Sequence, residues 1–525
     1  MKKLLTLAAL AFAAFTAQAT DYTDVLKVTV NGNALPDQET TVSIDANENQ
    51  RYKLSLTNLV LLQMGAQSIG IGNIVVDDVP GTVDGDVTTI RTSQSINITD
   101  GDLEGISLWI GPSLGSVPIE LNAEIRGSQL YFIINIDKTA SLRQTISVQF
   151  GNGGYQIGNS GFENFHTATA GSATSDEPNN WHSFMSCTGM LAGIVSSVPH
   201  TFISDDVRPG TTGTKSVLIK SGLAFGSIVA NGTLTTGRLK AGGFSATSTD
   251  NNAFLDITST EVDANGDPFY ALINGKPDSL AVWVKFKQET PVEEHPYATI
   301  TAVITDGSYY QEPVDKDYTD IIVGRAADTK IASNGFAWQK LVMPFDYSAY
   351  TEKDPKAILV TISTNADPGE GTGADSLLVD DFELIYNGTA TGISVKGNAV
   401  ENFAPTTSDY TLSIKGIGEI TAEDVAVTTN AKDAKVTVDV VHTDDGAGTS
   451  IATITVMSAD LKKVSTYTVT VTDPDIADGI DNLTFDDNAI EGIYNLNGQR
   501  IETPVSGQVY ITKYADGKTV KTIMK

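Results

Sequence analysis

The sequence predicts an all-β protein built from several domains. Three observations predict it. The chain is rich in Thr, Val, Ile and Ser, with Gly-, Asn- and Asp-containing turns recurring at roughly ten-residue spacing, as in antiparallel β architecture. Alternation with a period of two recurs, for example in Leu26-Lys27-Val28-Thr29-Val30, in Tyr52-Lys53-Leu54-Ser55-Leu56, and in Leu130, Phe132, Ile134 and Ile136 on one face of a strand. Long segments of helical period are scarce. A length of 525 residues is too great for one core, so several domains are expected.

Composition narrows the function classes. Lys and Arg number 34 against 64 Asp and Glu, a net charge of −30. That balance argues against nucleic-acid binding, which needs basic groups to neutralise phosphates, and against docking on an anionic membrane face. The lone Cys187 excludes an internal disulfide framework and a Cys-rich zinc site. Five scattered histidines include no HExxH spacing, which argues against a zincin.

Residues 1–19 read as a signal peptide. Lys2 and Lys3 precede the apolar run 4–15, and Ala17-Gln18-Ala19 is a small-x-small cleavage site. The run is too short for a membrane span, and no other segment is apolar enough for a transmembrane segment. The expectation is an exported protein in the periplasm, on the outer-membrane surface or outside the cell. No Cys follows the cleavage site, so a lipid anchor is not supported.

Residues 20–151 hold eight to ten short strand candidates, a number that commonly closes into a barrel and removes exposed edges. The opening Leu26-Lys27-Val28-Thr29-Val30-Asn31-Gly32 is one marker, Arg51-Tyr52-Lys53-Leu54-Ser55-Leu56-Thr57-Asn58 a second, Ile71-Gly72-Asn73-Ile74 a third. With the hairpin from Ile119-Glu120-Leu121 to Leu130-Tyr131-Phe132, they resemble the calycin-like domain of exported Bacteroidetes proteins. The resemblance implies a β-barrel with room for an apolar ligand; small barrels are more often filled by their own side chains.

Residues 152–388 begin with Asn159-Ser160-Gly161-Phe162-Glu163-Asn164 and Pro178-Asn179-Asn180-Trp181, and close with Val379-Asp380-Asp381-Phe382-Glu383-Leu384. Between them lie alternating runs at 279–286, 298–304 and 356–363, and Trp338-Gln339-Lys340 leading to Met343-Pro344-Phe345. This frame resembles the carbohydrate metabolism domain of secreted Bacteroidetes proteins, and its two ends look like the outer strands of a carbohydrate-binding jelly-roll β-sandwich. The resemblance implies a polysaccharide or glycan as partner, and brings no catalytic residues.

Sugar recognition needs flat apolar rings beside fixed hydrogen-bonding groups. Trp181 with His182, Tyr309, Tyr310, Trp338, Tyr347 and Tyr350 are the candidates. The turns before Trp181 and Tyr309-Tyr310 predict exposure there, whereas Trp283 in its Val-Trp-Val run reads as core. By analogy with related jelly rolls, Glu163 with Asp380 or Asp381 is a candidate set for a structural Ca²⁺, which takes six to eight oxygens. The 64 acids do not exclude a glycoside hydrolase, which needs two carboxylates about 5–10 Å apart. No motif marks such a pair, and there is no G-x-S-x-G elbow or P-loop. Cys187 reads as a buried, inert thiol.

Residues 389–473, with Phe403-Ala404-Pro405-Thr406-Thr407-Ser408-Asp409-Tyr410 and a closing Tyr467-Thr468-Val469-Thr470-Val471, resemble the Ig- or cadherin-like sandwiches of bacterial surface proteins. Residues 474–525 begin with an acidic linker. Ile493-Tyr494-Asn495-Leu496-Asn497-Gly498-Gln499-Arg500 and Gly507-Gln508-Val509-Tyr510-Ile511 then resemble the end of a type IX secretion sorting domain, with fewer strands ahead of the motif than usual. The functional expectation is a non-catalytic, exported glycan-binding protein. The alternatives are a carbohydrate-active hydrolase and a structural or adhesive surface protein.

Overall fold

The structure is a computed structural model. It describes residues 19–47, 49–64, 67–350, 352–443, 448–475, 490–514 and 517–524. The signal peptide read at 1–19 (except Ala19) and most of the acidic linker lie outside the described residues. Among the described residues no helix is long and apolar enough to cross a membrane. The chain divides into two compact units. One is Met1–Gly275 with Ser279–Ile385, the other Lys276–Asp278 with Tyr386–Lys525.

The first unit opens with a closed barrel, and the all-β prediction holds. Eight strands run Thr20–Val30, Gln38–Ala46, Arg51–Met64, Gln67–Asp84, Val87–Asn97, Ser116–Arg126, Gln129–Lys138 and Gln144–Phe150. Each pairs antiparallel with the next, and the first pairs with the last, Leu26 opposite Phe150. Closure leaves no free edge among these eight. Alternation then sends one set of side chains inward: Leu26, Val28, Val42, Ile44, Leu54, Leu56, Leu121, Phe132 and Phe150 are all buried. The Phe132 and Phe150 rings stack at 5.2 Å. These side chains form one buried cluster. Burying each such side chain contributes roughly 1.5–3 kcal/mol.

The strand Gln129–Lys138 is buried on both faces. Tyr131 and Ile133 point out of the barrel yet are only 3% exposed. Tyr131 lies 5.5 Å from the Tyr155 ring, and Tyr155 Oη donates to buried Glu124 at 2.7 Å, with Arg126 3.2 Å from the same carboxylate. The segment leaving the barrel thus seals its outer wall.

Two larger sheets, a smaller one and two hairpins follow among the described residues. The first has the order Thr201–Ser204, Ser216–Lys220, Ser376–Ile385, Ser279–Lys287, Gln339–Pro344. The second places Ala357–Ser363 and Ala298–Thr305 at its centre, flanked by Thr233–Thr235 and Ile322–Ile331. A third joins Arg238–Ala241, Asn251–Leu255 and Tyr310–Glu312. Leu239, Leu255, Tyr310, Val303 and Leu359 bury together between the second and third sheets.

The end motifs meet through side chains. Phe162, Trp181 and Phe382 form an aromatic trio, Trp181 standing 5.2 Å from Phe162 and 5.4 Å from Phe382. Gln156 then imitates a neighbouring strand: Leu384 N donates to its Oε1 at 2.9 Å, and its Nε2 donates to Leu384 O at 2.6 Å.

In the second unit, Asn398–Ala399, Gly392–Val395 and Val425–Thr428 form one sheet. Asp409–Ser413, Val464–Thr472, Thr449–Met457 and Lys435–His442 form another, with a parallel pair at Asp409–Ser413 and Val464–Thr472. The Phe403–Tyr410 motif works as a corner. The two rings stack at 5.2 Å, and Tyr410 Oη donates to Ala404 O at 2.7 Å. Ile490–Tyr494, Val509–Tyr514 and Thr519–Ile523 make a separate three-stranded sheet.

Candidate functional site

A cleft of about 560 Å³ opens over the second and third sheets of the first unit. Its floor follows from strand alternation. Ile300 and Ala302 turn into the core, so Thr299 and Thr301 face the cleft; Val360 and Ile362 do the same for Thr361 and Ser363. The register pairs Thr299 with Ser363 and Thr301 with Thr361, giving a ladder of hydroxyls. Thr361 Oγ1 and Asn252 Oδ1 both have no hydrogen-bond partner. Glu312 stands at the floor's edge. It accepts from Thr301 Oγ1 at 2.7 Å and Tyr310 Oη at 3.0 Å, and Arg325 pairs with it at 2.8 Å.

The walls are apolar. Phe225 sits at the tip of the hairpin Gly222–Ala224/Ile228–Ala230 with φ 52°, and Gly226 follows at φ 74°. That left-handed tip leaves Phe225 60% exposed. Phe244 is 73% exposed on the loop between Arg238–Ala241 and Asn251–Leu255. Asn251 clamps that loop: its Oδ1 accepts from Gly242 N and Gly243 N at 3.0 Å, and its Nδ2 donates to Ser245 O at 2.7 Å. The cleft therefore presents two exposed aromatic rings and a floor of hydroxyls. Such a surface can bind a ligand with an apolar face and a hydrogen-bonding edge.

None of the seven aromatic and histidine candidates from the sequence lines this cleft. Trp181 and Tyr310, expected exposed, are both fully buried. After the Asn179-Asn180 turn, Asn180 takes φ 67° and the chain re-enters the core, so the Trp181 ring has no free face; its Nε1 donates to Gly158 O at 3.1 Å. Alternation at Tyr309-Tyr310 turns Tyr309 out over Phe254 and Tyr310 in against Tyr318. His182 is fully buried against Phe269. Trp338 is half-buried and donates to Asp206 at 2.9 Å; Tyr347 is half-buried against Phe345 and the backbone at Gly324. Tyr350 is half-buried beside the Tyr310 cluster. Trp283 is half-buried with Arg208 over its ring at 5.6 Å, less enclosed than its run suggested. The one signal for Phe225 and Phe244 was an aromatic residue inside each of two glycine-containing loops.

Glu163, Asp380 and Asp381 are not gathered as a ligand set; among the described residues, the trio of potential metal ligands within 4.8 Å of one another lies elsewhere. Glu163 accepts from Thr214 N at 3.0 Å and Lys215 N at 3.3 Å. Asp380 is buried and accepts from Arg208 N at 2.9 Å, and the Arg208 guanidinium pairs with Asp381. A bulge, with Asp381 at φ 44°, turns the two carboxylates apart. Burial pushes Asp380 up to about 6. Arg208 therefore contacts both aspartates, through its backbone N–H and its guanidinium. Cys187 is half-buried, and burial pushes its thiol up to about 12, so it is not nucleophilic at neutral pH.

No curated protein matches the chain. Among solved structures it is similar to an arabinose-bound α-L-arabinofuranosidase, with 14% identity and a TM-score of 0.20 over 44% of this chain and 27% of that one. It is also similar to the M60 catalytic domain with two CBM51 domains of ZmpB from Clostridium perfringens, with 9% identity and a TM-score of 0.15 over 95% of this chain and 45% of that one. The chain thus spans less than half the length of either, and at those TM-scores the likenesses carry no argument about fold or ligand. The family model of the calycin-like β-barrel domain matches residues 19–153, and the eight closed strands agree with it. The N-terminal part of the chain is a calycin-like β-barrel, followed by further β-sheet domains.

Proposed function

We propose that the protein is an exported, non-catalytic glycan-binding protein, and that the cleft over residues 299–301 and 361–363 is where the glycan binds. The observation that carries this is the pairing of exposed Phe225 and Phe244 with the hydroxyl floor of Thr299, Thr301, Thr361 and Ser363. A pyranose offers C–H faces to such rings and hydroxyls to such a floor. Among the described residues the cleft is lined by one carboxylate, Glu312, which is tied to Arg325. Glycoside hydrolysis asks for two, so binding is favoured over cleavage.

The test is a glycan array with the full mature chain. Saturable binding is expected, and Phe244→Ala and Phe225→Ala should each weaken it by about tenfold, the loss of roughly 1.4 kcal/mol of ring stacking. Trp338→Ala, outside the cleft, should leave it unchanged. Release of reducing ends from a polysaccharide panel would replace the proposal with hydrolysis. Silence in both assays would leave a structural or adhesive role.

A further inference from the structure

Away from the cleft, four buried side chains converge. His166 and Glu177 are register partners across the hairpin Phe165–Ala170/Ala173–Pro178. His182 follows that hairpin and is held by a backbone bridge to Thr235. Asp263 sits in a turn closed by the bridge between Val262 and Pro268. The Glu177, His182 and Asp263 side chains are 0% exposed and that of His166 is 10% exposed.

In three of the four, one polar atom is tied to protein and the other is left over. His166 Nδ1 lies 3.2 Å from Asn179 Oδ1, which accepts its proton and leaves Nε2 with a lone pair. Glu177 Oε1 accepts from Ser183 N at 2.7 Å and Ser186 Oγ at 3.1 Å. Asp263 Oδ1 accepts from Asn265 N and Asp267 N, both at 2.8 Å. His166 Nε2, Glu177 Oε2, His182 Nε2 and Asp263 Oδ2 are then buried with no hydrogen-bond partner.

Those four atoms form a chain of close approaches. Glu177 Oε2 is 3.7 Å from His166 Nε2, His166 Nε2 is 3.5 Å from Asp263 Oδ2, and Asp263 Oδ2 is 3.4 Å from His182 Nε2. These separations exceed ordinary hydrogen bonds of about 2.7–3.2 Å. Each of these three separations is near the roughly 3.3 Å between two neighbouring ligands of an ion with bonds of about 2.0–2.1 Å. Asp267 stands alongside, with a ligand atom within 4.8 Å of those of His166 and Asp263. Leaving four such atoms buried without a hydrogen bond is costly, and the two carboxylate oxygens among them face histidines.

We propose that His166, Asp263 and Asp267, whose ligand atoms lie within 4.8 Å of one another, form with His182, 3.4 Å from Asp263, a binding site for one divalent transition-metal ion, with Glu177 beside His166. Two imidazoles and two carboxylates match Zn²⁺ best and disfavour Ca²⁺, which takes oxygen ligands. The ion's role is structural: it ties the hairpin, the segment leaving Trp181 and the loop 263–267 into one body. This site is separate from the cleft and independent of the glycan reading.

The test uses the full mature chain. Mass spectrometry should find about one equivalent of metal, and the chelator-stripped protein should take up one Zn²⁺ in calorimetry with a rise in melting temperature. Asp263→Asn and His182→Gln should each weaken uptake at least a hundredfold. His295→Ala, at a half-buried histidine beside Asp367 and Glu370, should not. Co²⁺ on the stripped wild type gives a readout that needs no variant: intense visible ligand-field bands are expected of a four-coordinate site. Failure of the stripped wild type to bind Zn²⁺ or Co²⁺ at micromolar concentration overturns the proposal. So does full uptake by both variants, or a Co²⁺ spectrum no stronger than that of the aqueous ion.

Discussion

At Trp181 a single ring shows how a residue can be mistaken for a binding platform. It follows a polar turn, yet it closes an aromatic trio with Phe162 and Phe382. Trp181→Ala should therefore act on stability, costing about 3–5 kcal/mol as a core truncation, and urea denaturation should show it. A variant as stable as wild type would place the ring outside the core. His200 makes a second prediction at this scale. It is fully buried, its Nδ1 donates to Lys220 O at 2.8 Å, and burial holds its pKa below the usual histidine value. The folded state thus resists protonation that the unfolded chain accepts below about pH 6.5. Its contribution to stability is present above that pH and is lost as pH falls toward the folded pKa. His200→Gln, which keeps an amide donor, should flatten the fall in urea midpoint between pH 7 and pH 5. An unchanged slope would remove His200 as the cause.

Individual strands owe their pairing to more than ladders. Gln156 supplies the last strand, Ser376–Ile385, with the donor and acceptor that a neighbouring strand would have offered at Leu384. Gln156→Ala would strand both groups and should cost about 1–3 kcal/mol, visible as a lower denaturation midpoint. Gln156→Glu should recover less than half of that, since a carboxylate cannot donate. The strands of the cleft were legible in outline. The alternation at 298–304 and 356–363 is plain in the sequence, and the same alternation puts Thr299, Thr301, Thr361 and Ser363 on one face. What alternation cannot say is which face becomes core and which a floor. Covering by the third sheet and by the Phe225 and Phe244 loops made that choice.

On the scale of the whole molecule, the calycin-like barrel is not finished by its own eight strands. Tyr131, Ile133 and Glu124 on its outer wall are buried with help from Tyr155, just beyond the last strand. A fragment ending at Gly153 should melt lower than one that extends through Ile385, and should bind a hydrophobic dye at the exposed wall. Equal melting temperatures would show the barrel to be self-sufficient. The net charge of −30 belongs at this scale too, favouring solubility rather than contact with polyanions.

The all-β class, the barrel and the strand-by-strand alternation were set by local pattern, because a period of two and regularly spaced turns are properties of neighbouring residues. The sites were not. Trp181, Tyr310 and His182 read as surface candidates, and the fold buried all three; Asp380 and Asp381 read as metal ligands, and Arg208, from a distant loop, pairs with one and caps the other. The group proposed for the metal, His166, His182, Asp263 and Asp267, draws on a hairpin, the strand-free segment after it and a turn some eighty residues further on. No sequence spacing marks it. Convergence of unpaired atoms is a relation between distant segments, and packing alone creates it.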